Sequence, residues 1–267
     1  MSKVVLITGA SSGIGLATAQ HLHQAGLTVY GTSRRPANTL ADVPFHMLQL
    51  DVSDEASIAL AIQHVIDTEG RIDVLINNAG IAFAPAAAEE SSLTQVQQIF
   101  DTNFFGLVRM NNAIIPQMRQ QGVGQIINIG SVLGFLPLPF GAYYAATKHA
   151  IEGYSASLDH ELRSQGIRVS VIEPAYTNTS LDVNLIEADR KIDHYNDIRA
   201  KQLKIMTKSI NRSDAPSIVA QQILAVIEAD RPQQVYTAGK TAKRLKLINR
   251  FAPKQLLDRF IQKSLKL

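Results

Sequence analysis

The chain predicts an α/β fold: a doubly wound parallel sheet of about seven strands, flanked by helices, with a helical extension at its C-terminal end. Three observations predict it. Short apolar runs alternate with helix-patterned stretches from Val4 to Tyr236. A glycine-rich turn stands between the first run and the first helix. Hydrophobic residues make up 46% and charged residues 18% of 267 positions, which suits one large core rather than a disordered chain.

Composition removes several chemistries. With no cysteine there is no disulfide, thiolate zinc site, iron–sulfur cluster or cysteine nucleophile. The seven histidines form no His-Glu-x-x-His pattern, and no metal site is expected. The net charge of +3 is uneven. Residues 240–267 hold nine Lys/Arg and one acid, Asp258, while the rest holds 17 Lys/Arg against 22 Asp/Glu. The basic pI of about 9.1 therefore belongs to the tail, and no nucleic-acid partner is expected for the main body. Only four apolar residues, Val4 to Ile7, precede Thr8-Gly9, too few for a signal peptide. No apolar run reaches the eighteen or so residues that would span a bilayer, and a C-terminal Leu-Lys-Leu is not a peroxisomal address. A cytoplasmic location is the expectation.

Val4-Val5-Leu6-Ile7 is the first strand, and a helix starts after Thr8-Gly9-Ala10-Ser11-Ser12-Gly13-Ile14-Gly15. In a strand–turn–helix context Gly9 permits the tight turn, Gly13 lets a pyrophosphate approach the backbone, and Gly15 allows close helix–strand packing. Ser11, Ser12 and Ile14 are the turn's other candidate cofactor contacts. No lysine follows, which rules out a GxxxxGK[ST] nucleotide loop. The second strand, Leu27 to Thr32, runs into Ser33-Arg34-Arg35-Pro36 with no acid until Asp42. An acid there would bond the ribose 2′-OH of NAD, whereas Arg34 and Ser33 suit a 2′-phosphate, so NADP(H) is the expected cofactor.

A third strand, 45–50, ends at Asp51-Val52, and residues 55–69 carry a helical stripe of Ile58, Ile62, Val65 and Ile66. The fourth, 73–76, leads into Asn77-Asn78-Ala79-Gly80, a loop suited to lie over a ligand or simply to turn. Residues 96–118 read as a helix broken near Gly106 and stopped around Pro116. Asn103 stands in its apolar part, as a hydrogen-bond hub or a site residue.

The fifth strand, 125–129, delivers Ser131 to the carboxyl end of the sheet, where open α/β sheets bind ligands. From Tyr144 the residues favour a helix, which sets Lys148 on the same face as Tyr144. A fixed ammonium beside a phenol is expected to lower its pKa and make it a proton-transfer group. A second Tyr-x-x-x-Lys pair, Tyr236 and Lys240, includes Gly239 and has Ile223, not serine, thirteen positions upstream; it is read as accidental. A sixth strand covers 167–172, a helix 216–228 and an edge strand 234–236.

Thr8-Gly9-x-x-x-Gly13-x-Gly15, Asn77-Asn78-Ala79-Gly80, Asn103, Ser131 and Tyr144-x-x-x-Lys148, in this order and spacing, resemble the short-chain dehydrogenase/reductase family over residues 3–180. The resemblance implies a Rossmann-type domain with Tyr144 as general acid/base and Ser131 bonding the substrate oxygen. Lys148 would bind the nicotinamide ribose and tune Tyr144, while Asn103 would hold a water linking Lys148 to solvent. Asp51 and Val52 would border the adenine, Asn78, Ala79 and Gly80 the ribose side, and Thr177 and Thr179 the carboxamide. It also implies a homodimer or homotetramer through helices near 92–118 and 143–164. One departure stands out: Pro174-Ala175 replaces the family's Pro-Gly, which would strain Ala175 if that position needs φ > 0.

Residues 1–239 are thus expected to form one oxidoreductase domain, with a lid over the substrate at about 180–212. Phe83, Pro85, Phe135, Leu136, Pro137, Leu138 and Phe140 suggest a hydrophobic carbonyl or alcohol substrate. Residues 240–267 are a basic amphipathic extension, read as packed on the same domain in preference to a membrane-surface contact. The expected activity is hydride transfer between NADP(H) and a carbonyl or secondary alcohol. The alternatives are an epimerase or dehydratase using the nicotinamide without net redox change, and a catalytically silent NADP-sensing module.

Overall fold

The computed structural model describes residues 2–36, 43–178 and 185–265. Seven strands, β1 (Val4–Ile7), β2 (Thr28–Ser33), β3 (His46–Gln49), β4 (Val74–Asn77), β5 (Gly124–Ile129), β6 (Ile167–Pro174) and β7 (Val235–Ala238), form one parallel sheet in the order β3-β2-β1-β4-β5-β6-β7. The chain is therefore the predicted doubly wound α/β fold.

Alternation along the strands divides the core in two. Val5, Ile7, Val29, Ile76 and Ile127 join the cluster that holds α1 (Gly13–Gln24) and α7 (Pro216–Glu228). Leu6, Tyr30, Leu75 and Ile126 join the cluster formed with α2 (Glu55–Glu69), α4 (Gly106–Gln121) and α5 (Ala142–Leu162). Both faces of the sheet are covered, so β1 and β4 are buried at every position and read as continuous apolar runs. Each fully buried Leu, Ile or Val contributes about 1.5–3 kcal/mol.

Four expectations are refined or corrected. The break expected near Gly106 is a π-helical turn, Asp101–Phe105, between α3 (Leu93–Phe100) and α4, and Asn103 sits in it. Pro116 does not stop α4, which continues to Gln121. Pro116 and Asn112, whose carbonyl loses its N–H partner, are both on the exposed side, where water can replace the bond. Ala175 is not strained, because Phe140 (φ 62°) is the single non-glycine with positive φ among the described residues. The edge strand also runs further than expected, to Ala238.

Beyond β7 the chain forms α8 (Gly239–Phe251) and, after Pro253, α9 (Lys254–Leu265). Between β6 and α7, α6 (Asn196–Asn211) follows a segment tied down by Ser92 bonding Asp189 (2.8 and 2.5 Å), by Gln95 Nε2 donating to the Glu187 carbonyl (2.7 Å), and by an Arg199–Glu90 ion pair.

Asp159 joins α5 to the far half of the sheet. Its fully buried carboxylate accepts from Arg168 Nε (2.9 Å), the Val169 N–H (3.0 Å) and Gln234 Nε2 (3.0 Å), and pairs with Arg163. Removing the carboxylate leaves the Val169 N–H and the Gln234 amide without their acceptor, while the partly exposed Arg163 and Arg168 can turn to water. Asp159→Ala is expected to lower the unfolding free energy by about 1–3 kcal/mol; an unchanged urea midpoint would contradict this account.

Candidate active site

One cavity of about 1460 Å³ opens at the carboxyl ends of β1, β4, β5 and β6. It includes the point where strand order reverses between β1 and β4, the place where such sheets bind ligands.

At one end lies the glycine turn. Gly9, Ser11, Ser12, Gly13 and Ile14 line the cavity, with φ of 68° at Gly9 and 57° at Gly13. Gly15 lies behind them, where a Cβ would stand 2.2 Å from the Gly9 carbonyl oxygen. Ser12 precedes α1 without a side-chain cap, which leaves first-turn N–H groups for an anion. Asn78 braces this turn: its Nδ2 donates to the Thr8 and Gly9 carbonyls at 2.9 Å, while the Thr8 hydroxyl accepts from the N–H of Asn78 and of Ala79 at 3.0 Å. Ala79 and Gly80 complete the wall. At the end of β2, Ser33, Arg34 and Arg35 line the same cavity, and the buried Ser33 hydroxyl accepts from the Arg35 N–H (3.2 Å). This cradle, with cations at one rim, fits a dinucleotide.

Not every expected contact is at the wall. Val52 lines the cavity but Asp51 does not, its carboxylate being taken by the Ser53 N–H (2.9 Å) and hydroxyl (2.7 Å). Thr177 lines it, whereas Thr179 and the beginning of the expected lid lie outside the described residues. Tyr236 and Lys240 do not border the cavity.

At the other end Ser131, Tyr144 and Lys148 converge. Ser131 is buried, and its hydroxyl oxygen accepts from the Leu133 N–H (3.1 Å), so the hydroxyl proton is left to donate. Lys148 Nζ donates to the Ile129 carbonyl (2.8 Å) and lies 5.7 Å from the Tyr144 ring centroid. The expected lowering of the Tyr144 pKa is not found. Burial, together with the phenol of Tyr176, pushes it up to about 12. Lys148 is itself desolvated, which brings it down to about 8 despite the Glu152 carboxylate. Asn103 is buried, its amide accepting from the Ile81 N–H (2.8 Å) and donating to the Ile81 carbonyl (3.0 Å), so it fixes the chain just beyond the Asn78 loop.

Behind Lys148 is a charged cluster that sequence reasoning missed. Glu152 stands one turn further along α5, in space left by Gly130 and Gly134, where a Cβ would come within 2.6 and 2.7 Å of its side chain. Burial and the Glu173 carboxylate push Glu152 up to about 7, against the pull of Lys246 and Lys148. Glu173, near the end of β6, accepts from Lys246 Nζ of α8 at 2.5 Å. Glu152 Oε1 and Glu173 Oε2 are buried with no hydrogen-bond partner. A signal was present: an acid four positions after Lys148, and another inside an apolar strand.

Beyond Tyr144 the wall has an apolar part. Phe83, Pro85, Leu136, Leu138 and Phe140 line it, with Ile205 and Met206 from α6 and Leu245, Phe260 and Ile261 from α8 and α9, while Gln202, Lys208 and Arg212 add polar groups to the same cavity. Phe135 does not; its ring is turned to Lys246, 4.5 Å from the centroid. The positive φ of Phe140 places backbone strain between Ser131 and Tyr144.

Glu152 supplies a pH test. Its folded pKa is raised, so the native state binds more protons than the unfolded chain between about pH 4.5 and 7, and stability falls as pH rises through that window. Glu152→Gln removes the titration. Relative to the parent, the variant is expected to gain about 1–3 kcal/mol between pH 5 and pH 8. A difference independent of pH in chemical denaturation would refute the raised pKa.

Residues 3–190 match the model of the family described as short chain dehydrogenase. The chain is 38% identical over 232 residues to 3-ketodihydrosphingosine reductase of Bacteroides thetaiotaomicron, covering 86% of this chain and 85% of that protein. A short-chain dehydrogenase from Streptomyces avermitilis superposes with a TM-score of 0.82 at 30% identity, covering 99% of this chain and 97% of that one. A 3-ketoacyl-(acyl-carrier-protein) reductase from Brucella melitensis, in complex with NADH, superposes with a TM-score of 0.74 at 25% identity, covering 88% and 96%. A family match over most of the chain, with these relatives, agrees with the sheet order and the glycine turn: the chain belongs to the short-chain dehydrogenase/reductase family of oxidoreductases.

Proposed function

We propose that the chain is an NADP(H)-dependent carbonyl reductase or alcohol dehydrogenase that acts on a ketone or secondary alcohol carrying an apolar chain. The carrying observation is the continuity of one cavity from the glycine turn and Arg34 to Ser131, Tyr144 and Lys148. Gly9, Ser11, Ser12, Gly13 and Ile14 would hold the diphosphate, Ser33 and Arg34 the 2′-phosphate, and Lys148 the nicotinamide ribose; the bound dinucleotide supplies or accepts the hydride. Val52 would border the adenine and Thr177 the carboxamide.

The protein's own part is to polarise and protonate the carbonyl oxygen. Ser131 donates its free hydroxyl proton to that oxygen. Tyr144, a neutral phenol at physiological pH whose pKa burial pushes up further, gives up its proton as alkoxide character develops. A phenol near 12 is still a stronger acid than an alcohol, so the transfer is downhill in the reducing direction. In the oxidising direction the phenolate needs the charge of Lys148, which that residue loses above about pH 8.

The apolar wall supports a hydrophobic substrate. The printed name of the Bacteroides relative makes a 3-ketodihydrosphingosine-type ketone the first compound to test. Residues 185–212, tied to Glu90, Ser92 and Gln95, would act as the lid. Assembly through α3–α4 and α5 belongs to the same reading, supported by the exposed Leu93 and Phe105.

Tyr144→Phe is expected to lower kcat by about two to four orders of magnitude, with NADPH affinity by fluorescence titration nearly unchanged. Turnover close to the parent's would remove Tyr144 from the chemistry. Arg34→Asp is expected to shift the NADPH/NADH ratio of kcat/KM toward NADH by about 10–100-fold, and an unaltered ratio would deny Arg34 its contact with the 2′-phosphate.

A further inference from the structure

The α8–α9 pair has two faces, and only one is used by the rest of the molecule. Ala242, Leu245 and Leu257 pack with Val132 and Leu136 beside the cavity, and Lys246 pairs with Glu173. Turned to solvent on the same two helices are Leu247 (58% exposed), Phe251 (73%), Leu256 (56%) and Phe260 (47%). Four of the twelve large exposed hydrophobic side chains among the described residues thus fall on these two helices. Leu247 and Phe251 are four apart, as are Leu256 and Phe260, so each pair shares a helix face.

Exposed Lys243, Arg244 and Arg250 accompany the first pair, and Lys254, Arg259 and Lys263 the second. Asp258 is the one acid from Lys240 to the chain's end. We propose that this outer face of α8–α9 seats the protein on an anionic lipid surface, with Leu247, Phe251, Leu256 and Phe260 entering the headgroup boundary among lysines and arginines. Apolar side chains within a strong single-sign field match an interface that is anionic at its surface and hydrocarbon beneath. Phe260 connects this face to the active site, being both exposed and part of the cavity wall, with Ile261 and Leu245 inside it. Resting on the proposed function, an apolar-chain ketone would then enter from the lipid past Phe260.

Sedimentation of the full chain with phosphatidylcholine vesicles, with and without about one-third phosphatidylglycerol, tests this. The protein is expected to sediment at least tenfold more with the anionic vesicles, and less so as salt rises. Leu247→Glu/Phe251→Glu, neither residue lining the cavity, is expected to weaken binding at least tenfold. NADPH-dependent reduction of a small water-soluble ketone should stay within about twofold of the parent, while reduction of a vesicle-embedded long-chain ketone falls with the binding. Lys243→Glu/Arg250→Glu should weaken binding to anionic vesicles alone. No sedimentation of the parent with anionic vesicles, or equal sedimentation of parent and variants, overturns the proposal. So does a change in oligomeric state on Leu247→Glu/Phe251→Glu with vesicle binding unchanged, which would give the face to a second copy of the chain. Vesicle binding without reduction of any ketone upholds the docking surface and overturns the enzymatic reading.

Discussion

An ammonium group buried at the end of a sheet must be compensated where it stands, and much of this site's construction follows from Lys148. Its carbonyl partner, Ile129, is the last residue of β5, and its nearest charge, Glu152, is one turn on in α5. Tyr144, Lys148 and Glu152 are each four apart, so the helix that aims the phenol into the cavity also stacks cation and carboxylate behind it. The carboxylate needs room, which Gly130 and Gly134 leave beside the β5 end. Ser131 lies between those glycines, which ties its position to the same requirement. A helix one residue out of phase would turn Tyr144, Lys148 and Glu152 together away from Ser131 and the Ile129 carbonyl.

The consequence for the chemistry is that the phenol is not made acidic by its neighbour in the protein alone. Burial acts on Tyr144 and Lys148 together, raising one and lowering the other, and in each case it outweighs the charges nearby. The site therefore holds a neutral phenol beside a cation that can be discharged. Glu152, Glu173 and Lys246 extend this balance to α8, so a charge of the C-terminal helices reaches the surroundings of Lys148 through a half-exposed lysine paired with a buried carboxylate.

The centre of the sheet was legible because its strands are buried on both faces and carry short apolar runs, Val4–Ile7 of β1 and the first three residues of β4 above all. The glycine turn was legible because Gly9, Gly13 and Gly15 stand where backbone conformation or packing excludes a side chain. Chain direction was also enough to bring Ser131 and Tyr144 to one cavity. The energetics were not legible. Helical spacing puts Lys148 beside Tyr144 but carries no information on how dry the pair is, and the sign of the Tyr144 shift depends on that. Pro116 misled because a proline's cost depends on whether the freed carbonyl meets water, which is a property of the helix face. Phe135 misled because membership of a loop between two site residues does not determine which way a ring turns; here a lysine from another helix takes it.

The C-terminal helices show why composition alone left two readings as rivals. A stretch that is basic and amphipathic can dock inward or outward only if it has one apolar stripe. Here α8 has two: Ala242 and Leu245 lie toward the cavity cluster, while Leu247 and Phe251 lie outward. Hydrophobic content beyond what the interior takes up leaves α8 with an outward apolar stripe as well as an inward one. Its lysines divide in the same way, Lys246 being drawn inward to Glu173 and the others remaining at the surface. Inward docking and an outward contact are therefore compatible states of one element, and the first presents the surface that the second requires.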